Sequence, residues 1–335
     1  MTLTQTAILT KQIITITVVA LILGIVSFIG YKIWYSYYLS TLPPVEEKPD
    51  TKFGVLPLPD FPKTSVSSSN FSYSLDTTTG GLPRVGVDPG FEKLVRVYFV
   101  IKSYATFLSA DKSQALAEKF DIKLAPKVLT ETTYEFQQDN KTLLVDLDSG
   151  NFRYSKEASA SSQESPDTDE KLISDFKRIL ESLGVLKKEL KNGRTKITRL
   201  SGDKKLALIS IWPEDLDKKP ILTSNVNRSQ VNAEVSESAA SLENYLLLAF
   251  SFYQIDNSTF ATYPIKSAED AFEDLRIGKG VIIVEPQNPQ VSITSVSLGY
   301  FLPENYSPYI QPIFVFEGPQ FVAYVPAVSS EFQKQ

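Results

Sequence analysis

The chain has 335 residues, with 34 basic and 39 acidic side chains for a net charge of −5, and it contains neither histidine nor cysteine. Those two absences exclude Ser-His-Asp and Cys-His nucleophile systems, thiolate or imidazole zinc sites, haem and iron–sulfur ligation by these side chains, and disulfides. The acidic balance, with no block of Lys and Arg, argues against a nucleic-acid partner, and no cofactor or metal site is expected.

Residues 1–12 read as a short tail. Ile13 to Gly30 (IITITVVALILGIVSFIG) then runs uncharged for 18 residues, about 27 Å of helix against a hydrocarbon thickness of about 30 Å. The stretch 13–36 therefore reads as a transmembrane anchor. Tyr31, Trp34, Tyr35, Tyr37 and Tyr38 follow as an aromatic cluster of the kind found at a membrane interface. A cleaved signal peptide would lead into small residues at a cut site, and here the run leads into bulky rings; a buried core helix is the other competing reading. Lys11 and Lys32 flank the run on opposite sides, so charge says little about orientation. The expectation is a single-pass protein of the cell membrane, its N-terminal tail cytoplasmic and the large C-terminal portion extracytoplasmic.

Residues 37–90 carry eight prolines between Pro43 and Pro89 and the Ser/Asn run from Ser65, and they read as an extended spacer. Parts of it can dock, because LPLPDF is apolar. A first α+β unit is expected over 91–156. Leu94 to Ile101 is β-branched and aromatic, Asp111 is placed to cap a short helix, and two strands (Thr132 to Gln137, Thr142 to Leu147) flank the Asp139-Asn140 turn. Asp148-Ser149-Gly150 makes the next turn into a strand through Tyr154. Residues 157–166, almost without apolar side chains, form the expected linker.

A second unit is expected over 167–328, with a tail at 329–335. Asp167 is placed to cap a helix whose Leu172, Phe176, Ile179, Leu180 and Leu183 share one face, stopped by Gly184. Strands follow at 195–200, 205–212, 231–235 and 242–255, then a helix from Ser267 to Gly278, then strands at 291–302, 313–317 and 321–325. Strands in runs rather than in strict alternation with helices indicate an α+β fold with mostly antiparallel sheets and a few packed helices. Ser109-Ala110-Asp111 echoes Ser267-Ala268-Glu269, which leaves an internal repeat open.

Several short patterns touch chemistry. Asp148-Ser149-Gly150 matches the turn of aspartic proteases, but only one copy exists, and a hairpin turn explains it. Asp146, Asp148 and Gly150 overlap the start of a calcium loop that lacks the expected distal Glu. Ser109 and Lys112 fit S-x-x-K without its companion motifs. Gly278-Lys279-Gly280 lacks phosphate-loop spacing and reads as a helix stop. Asn70, Asn140, Asn227 and Asn257 open N-x-S/T triplets, which matter only in a eukaryotic secretory pathway.

The C-terminal stretch is more distinctive. Tyr263-Pro264-Ile265 leads into Ser267, Ala271 and Leu275, followed by ITSVSLGYFLP (Ile293 to Pro303), YIQPIFVFEG (Tyr309 to Gly318) and FVAYVPAV (Phe321 to Val328). Over Tyr263 to Val328 this pattern resembles the YycH/YycI-like regulatory proteins of bacterial membranes, whose extracytoplasmic part is similar to PepSY-type α+β modules. A looser likeness covers Tyr134 to Tyr154. Phe314 stands where that family often has tryptophan, and no functional residue carries over. The resemblance implies two PepSY-like units acting as a non-catalytic interaction module, which regulates a protein partner in the membrane such as a sensor kinase. Read from the residues alone, the apolar strands are sheet faces packed against a helix. The loop Pro303 to Pro312, with Tyr306 and Tyr309 among prolines, is the candidate protein-contact edge. A scaffold subunit of an envelope complex and a two-carboxylate envelope hydrolase are the alternatives.

Overall fold

A computed structural model describes residues 3–41, 48–75, 92–157, 166–200, 206–236 and 238–334. Pro43, Pro44, Pro83 and Pro89 of the expected spacer, and all but the ends of the expected 157–166 linker, lie outside the described residues. Helix α1 (Leu3–Thr41) belongs to one compact unit, and Pro49–Gln335 form a second.

In the second unit the chain runs β1 (Ser72–Leu75), β2 (Leu94–Val100), α2 (Ser109–Lys119), β3 (Lys127–Thr130), β4 (Thr133–Gln138), β5 (Lys141–Asp146) and β6 (Phe152–Lys156). It continues with α3 (Asp169–Ser182), α4 (Lys188–Lys191), β7 (Thr195–Leu200), β8 (Leu206–Ile211), β9 (Ile221–Leu222), β10 (Val231–Val235) and β11 (Tyr245–Phe250). The last part is β12 (Ile255–Pro264), α5 (Ala268–Arg276), β13 (Val281–Val284), β14 (Gln290–Ile293), β15 (Ser295–Phe301), β16 (Tyr309–Gly318) and β17 (Phe321–Pro326). The fold is α+β with mostly antiparallel sheets, as the sequence implies.

The first sheet has eight strands in the order β3-β4-β5-β6-β11-β10-β8-β7, each pair antiparallel. Its register aligns Phe136, Leu143, Tyr154, Leu248, Ala233, Ile209 and Ile197 in one row across the sheet. Opposite residues share a face, so this row forms the floor against which Phe120 from the end of α2 and Leu172, Phe176 and Leu180 of α3 are buried. Each such side chain contributes about 1.5–3 kcal/mol by leaving water. Helix α3 stops at Gly184, whose φ of +79° suits glycine.

The second sheet has seven strands, β12-β2-β16-β15-β9 with β17 on β16 and β13 on β17, and only the β9–β15 pair is parallel. Its alternation explains the near-continuous apolar run of 313–325. Phe314, Phe316, Phe321, Ala323 and Val325 face α5, while Ile313, Val315 and Tyr324 face the other way, onto Phe61. A sheet buried on both faces requires this pattern. The sequence reading supplied a helix for one face; the other is covered by the segment read as a spacer.

The expected spacer is thus corrected over its described part. Leu56 is fully buried, its amide donates to Phe332 O at 2.8 Å, and its carbonyl accepts from the Lys334 amide at 2.9 Å. The Phe53 ring lies 4.9 Å from Tyr309, and Gln311 Nε2 donates to Pro57 O at 2.8 Å. Strand β1 pairs with β14 in parallel. Proline here fixes an extended path with few backbone donors to satisfy, which suits a strap laid over a sheet. The expected tail at 329–335 is a second such strap, with Phe332 at 5.7 Å from Tyr263.

The expected units, 91–156 and 167–328, do not match the sheets. Strand β2 pairs along its length with β12, and its first-unit neighbours β4 to β6 belong to the other sheet. The strands between β2 and β12, apart from β9, build the eight-stranded sheet as an insertion in the other lobe. The strand expected over 242–255 is broken at Ser251–Gln254, where the chain passes between sheets, and the one over 291–302 is two strands, β14 and β15. Two expected caps also differ. Helix α2 begins at Ser109, with Asp111 already in its first turn. The residue before α3 is Thr168, and Asp167 instead pairs with Lys171 at 2.9 Å. Ser267 does cap α5, accepting from the Asp270 amide at 3.0 Å.

Candidate interaction surface

Helix α1 carries the first candidate feature. Its segment Ala20–Tyr38 is long and apolar enough to cross a membrane, with none of it buried. Tyr31 stacks on Tyr35 with ring centroids 5.9 Å apart, and Trp34 on Tyr38 at 5.8 Å, the neighbours four residues apart that a helix brings together. Tyr37 is exposed on the same turn.

The expected contact loop is more enclosed than its sequence suggests. Tyr309 is a β16 residue, half-buried between Phe53 and Phe99. The Tyr306 hydroxyl donates to Val100 O at 3.1 Å, and its ring meets Tyr253 edge-on at 5.6 Å. The two tyrosines belong to local packing and do not stand together at a free edge.

The most exposed aromatic feature of the body is the connection between β2 and α2. Phe107 is 103% exposed, Tyr104 66% and Leu108 59%. The backbone that carries them is nevertheless held: Ile101 N donates to Gln254 O at 2.9 Å, Ala105 N to Asp148 Oδ1 at 2.8 Å, and Thr106 N to Ser109 Oγ at 2.9 Å. This is where the Asp-Ser-Gly turn finds its use. Asp148 grips the loop, while Asp146 accepts from the Ser149 hydroxyl and, at 3.2 Å, from the Asp148 amide. Both carboxylates serve the turn and the loop, and Ser109 of the S-x-x-K pattern serves as acceptor for Thr106. Gly150, the third candidate calcium position, holds a turn at φ +73°. Beside the loop lies a mainly apolar cavity of about 350 Å³ between Leu116, Val145, Leu147 and Leu183, with Lys112 and Lys119 at its rim.

A second cavity of about 220 Å³ is lined by Glu189, Glu214 and Asp215 with Phe252 and Ile255. Next to it the segment after β8 crosses to the other sheet and is fastened there. Asp217 accepts from Arg96 Nη1 at 2.9 Å and from the Tyr98 hydroxyl at 2.7 Å, while Tyr300 donates to Arg96 O at 2.9 Å. Burial, then the hydrogen bond to Asp217, pushes Tyr98 up to about 12, and Tyr300 is raised further, by burial first and then by the Asp217 charge. Asp217 and Lys218 have φ of +48° and +61°, two consecutive left-handed residues without glycine, a conformation that costs about 1–2 kcal/mol at an ordinary side chain. Sequence reasoning missed this clamp. Its only local signal is Asp217 itself, a residue that tolerates the left-handed turn.

The shifted carboxylates move down rather than up. Ser258 and Thr259 hold Asp256 at about 2 by hydrogen bonding. Burial works to raise Asp274, but the hydrogen bonds and charges of Lys266 and Lys279 outweigh it and hold the group below its ordinary value. The strand β3, at the sheet edge, is exposed at all four residues, and it carries Lys127 and a bulge between Val128 and Thr130, both devices that discourage edge pairing. Among the described residues, no group of three acidic side chains is placed to hold a metal.

The chain matches no protein-family model and no curated protein. Among solved structures, an uncharacterized protein from Eubacterium rectale is similar over 70% of this chain and 84% of its own, at 10% identity and a TM-score of 0.34, a likeness too slight to carry an argument about fold or function.

Proposed function

We propose that this protein is a single-pass membrane protein whose extracytoplasmic body is a non-catalytic interaction module, regulating a membrane partner such as a sensor kinase. The observation that carries the reading is the exposed apolar helix Ala20–Tyr38 joined to a separately folded body. An α-helix of that length spans the hydrocarbon layer and satisfies its own backbone there. The regulatory role comes from the resemblance over Tyr263 to Val328; that segment forms α5 against β16 and β17, an arrangement compatible with a PepSY-like module. The non-catalytic role is supported by the carboxylates of the body. A glycosidase-type acid needs a carboxyl raised toward neutrality, whereas Asp167, Asp256 and Asp274 are held below the ordinary carboxylate range by their hydrogen bonds and, at Asp167 and Asp274, by neighbouring lysines.

The test is made in the native cell. Alkaline carbonate extraction should leave the intact chain in the membrane, and external protease should digest the body of whole spheroplasts. Crosslinking in mild detergent should recover a sensor kinase; secretion or pilus components would indicate a scaffold instead. Recovery of a soluble chain lacking its first thirty or so residues, or hydrolysis of envelope polymer by the purified protein, would refute the proposal.

A further inference from the structure

We propose that the β2–α2 loop, through Tyr104, Phe107 and Leu108, rests in the interfacial layer of the same bilayer that α1 enters. The inference depends on the anchor reading of α1. Three large apolar side chains are exposed within five residues on a loop whose backbone is fixed by Asp148, Ser109 and Gln254, the kind of surface that marks an interaction site. Their chemistry suits an interface: rings and an aliphatic side chain, with Lys102 stacked at 5.2 Å on Tyr104 and Lys112 on the following helical turn. Lysine with Phe, Tyr and Leu is the composition that settles at headgroup depth.

Chain length makes lipid the available occupant. From Thr41, the last residue of α1, to Asp50 the chain advances nine residues, at most about 30 Å whatever path it takes. A body of this many residues has a radius of gyration of about 19 Å, so the tether is shorter than the body is wide. Asp50 is fastened to the body by its amide, which donates to Thr262 Oγ1 at 2.8 Å on edge strand β12. Thr262 sits opposite Arg96 in the register with β2. From Arg96 to Ile101, where the loop begins, is about 17 Å of strand. The start of the loop therefore lies closer to the tether's fastening point than the tether is long. Tethering at that range keeps the local concentration of bilayer very high, and modest interfacial affinity is enough for occupancy.

The absence of cysteine allows single labelling sites in the full-length protein. Phe107→Cys, Tyr104→Cys, Ile277→Cys and, in α1, Phe28→Cys would each carry an environment-sensitive nitrobenzoxadiazole label. Each variant would be reconstituted into phosphatidylcholine–phosphatidylglycerol vesicles with and without lipid bearing a shallow acyl-chain spin label. The Tyr104 site keeps Phe107 intact, so insertion of the label itself is controlled. The expected result is a blue-shifted emission at 104 and 107 that is mostly lost with spin-labelled lipid, while Ile277, exposed elsewhere, keeps its emission. Quenching at Phe28 with none at 104 and 107 overturns the inference and leaves the anchor standing. No quenching at Phe28 overturns the anchor, and the inference with it. A blue shift at 104 and 107 that depends on protein concentration and ignores the lipid quencher means that a second copy or another protein covers the loop, and also overturns it.

Discussion

Replacing Asp217 by Asn tests whether the clamp on the crossing segment is an energetic feature of the fold. Asn tolerates the left-handed backbone and keeps the shape, so the change isolates the charge. The ion pair with Arg96 and the charge-assisted bond from Tyr98 are lost or weakened. Charged hydrogen bonds contribute about 1.5–3 kcal/mol, but Asp217 is 26% exposed and Arg96 47%, so solvent screens the Coulomb part. The expected loss is about 2 kcal/mol, a factor of about 30 in the folded-to-unfolded ratio. Tyr98→Phe should cost about 1–2 kcal/mol, and the double variant should fall short of the sum by about 1 kcal/mol, because both changes remove one shared bond. Asp217→Ala should cost a further 1 kcal/mol or so beyond Asn for its φ of +48°. Urea titration of the full-length protein in micelles reads all of this through Trp212, which is 2% exposed at the head of the crossing segment, in a Trp34→Phe background. An Asn variant within about 0.5 kcal/mol of the parent, or an additive cycle, would refute the clamp; Ala equal to Asn would refute the backbone argument.

Removing the α5 cap by Ser267→Ala should lower stability by about 1 kcal/mol while Ser267→Asp preserves it, measured by the same titration. A Cβ on Gly193 would stand 1.8 Å from Trp212 O. Gly193→Ala should therefore cost at or above the top of the about 1–3 kcal/mol range for overpacking, because backbone is the obstacle, and a stable Ala variant would show that α4 and β8 can separate. Burial raises Tyr98 and Tyr154 from 10.0 to about 12. The unfolded chain then loses these protons first, so their stabilisation is intact below pH 10 and is lost as pH rises toward 12. The part of the phenolate absorbance that Tyr98→Phe and Tyr154→Phe remove should appear together with the loss of circular dichroism in that window, and its appearance near 10 in a chain of unchanged dichroism would contradict it.

What the sequence reveals here is whatever repeats locally. The α3 stripe, the Asp139-Asn140 hairpin and the Ser267 cap each depend on neighbours within a few positions. What it conceals depends on distant partners. Strand β2 pairs with β12 across more than 150 residues of sequence, and nothing in either strand names the other. Within β12, Asn257, Ser258 and Thr259 form the bulge between Asp256 and Phe260, so the alternation that marks a strand is interrupted. The break at Ser251–Gln254 has no glycine or proline to announce it. Leu56 and Phe61 belong to the LPLPDF stretch that the sequence offers for docking, and they do dock, whereas the proline-rich setting hid the use of Phe53. The apolar run of β16 held the missing clue, since such a run needs cover on both faces. Of the candidate surface, the aromatic cluster after the anchor was legible, whereas Tyr104, Phe107 and Leu108 were not, because exposure of an apolar residue leaves no mark in the sequence.

The chain passes between the two sheets four times, and a side chain fastens each passage. Asp148 holds the Ala105 amide on the first, Asp217 ties the second to Arg96 and Tyr98, Gln230 Nε2 donates to Leu302 O at 3.1 Å on the third, and Asn151 Oδ1 accepts from the Phe252 amide at 2.9 Å on the fourth. Hinges between lobes are ordinarily a few loop residues free to change φ and ψ. Here the loops that could serve are those whose amides and carboxylates are engaged, and residues 49–335 form one compact unit. The fastened passages therefore oppose bending of one sheet against the other. Loosening the fourth passage with Asn151→Ala, which strands the Phe252 amide at about 1–3 kcal/mol, should raise hydrogen exchange at Ser251–Gln254 before it raises exchange in either sheet. Exchange rising uniformly would mean that the two sheets unfold as one and that the passages have no independent mobility to restrain.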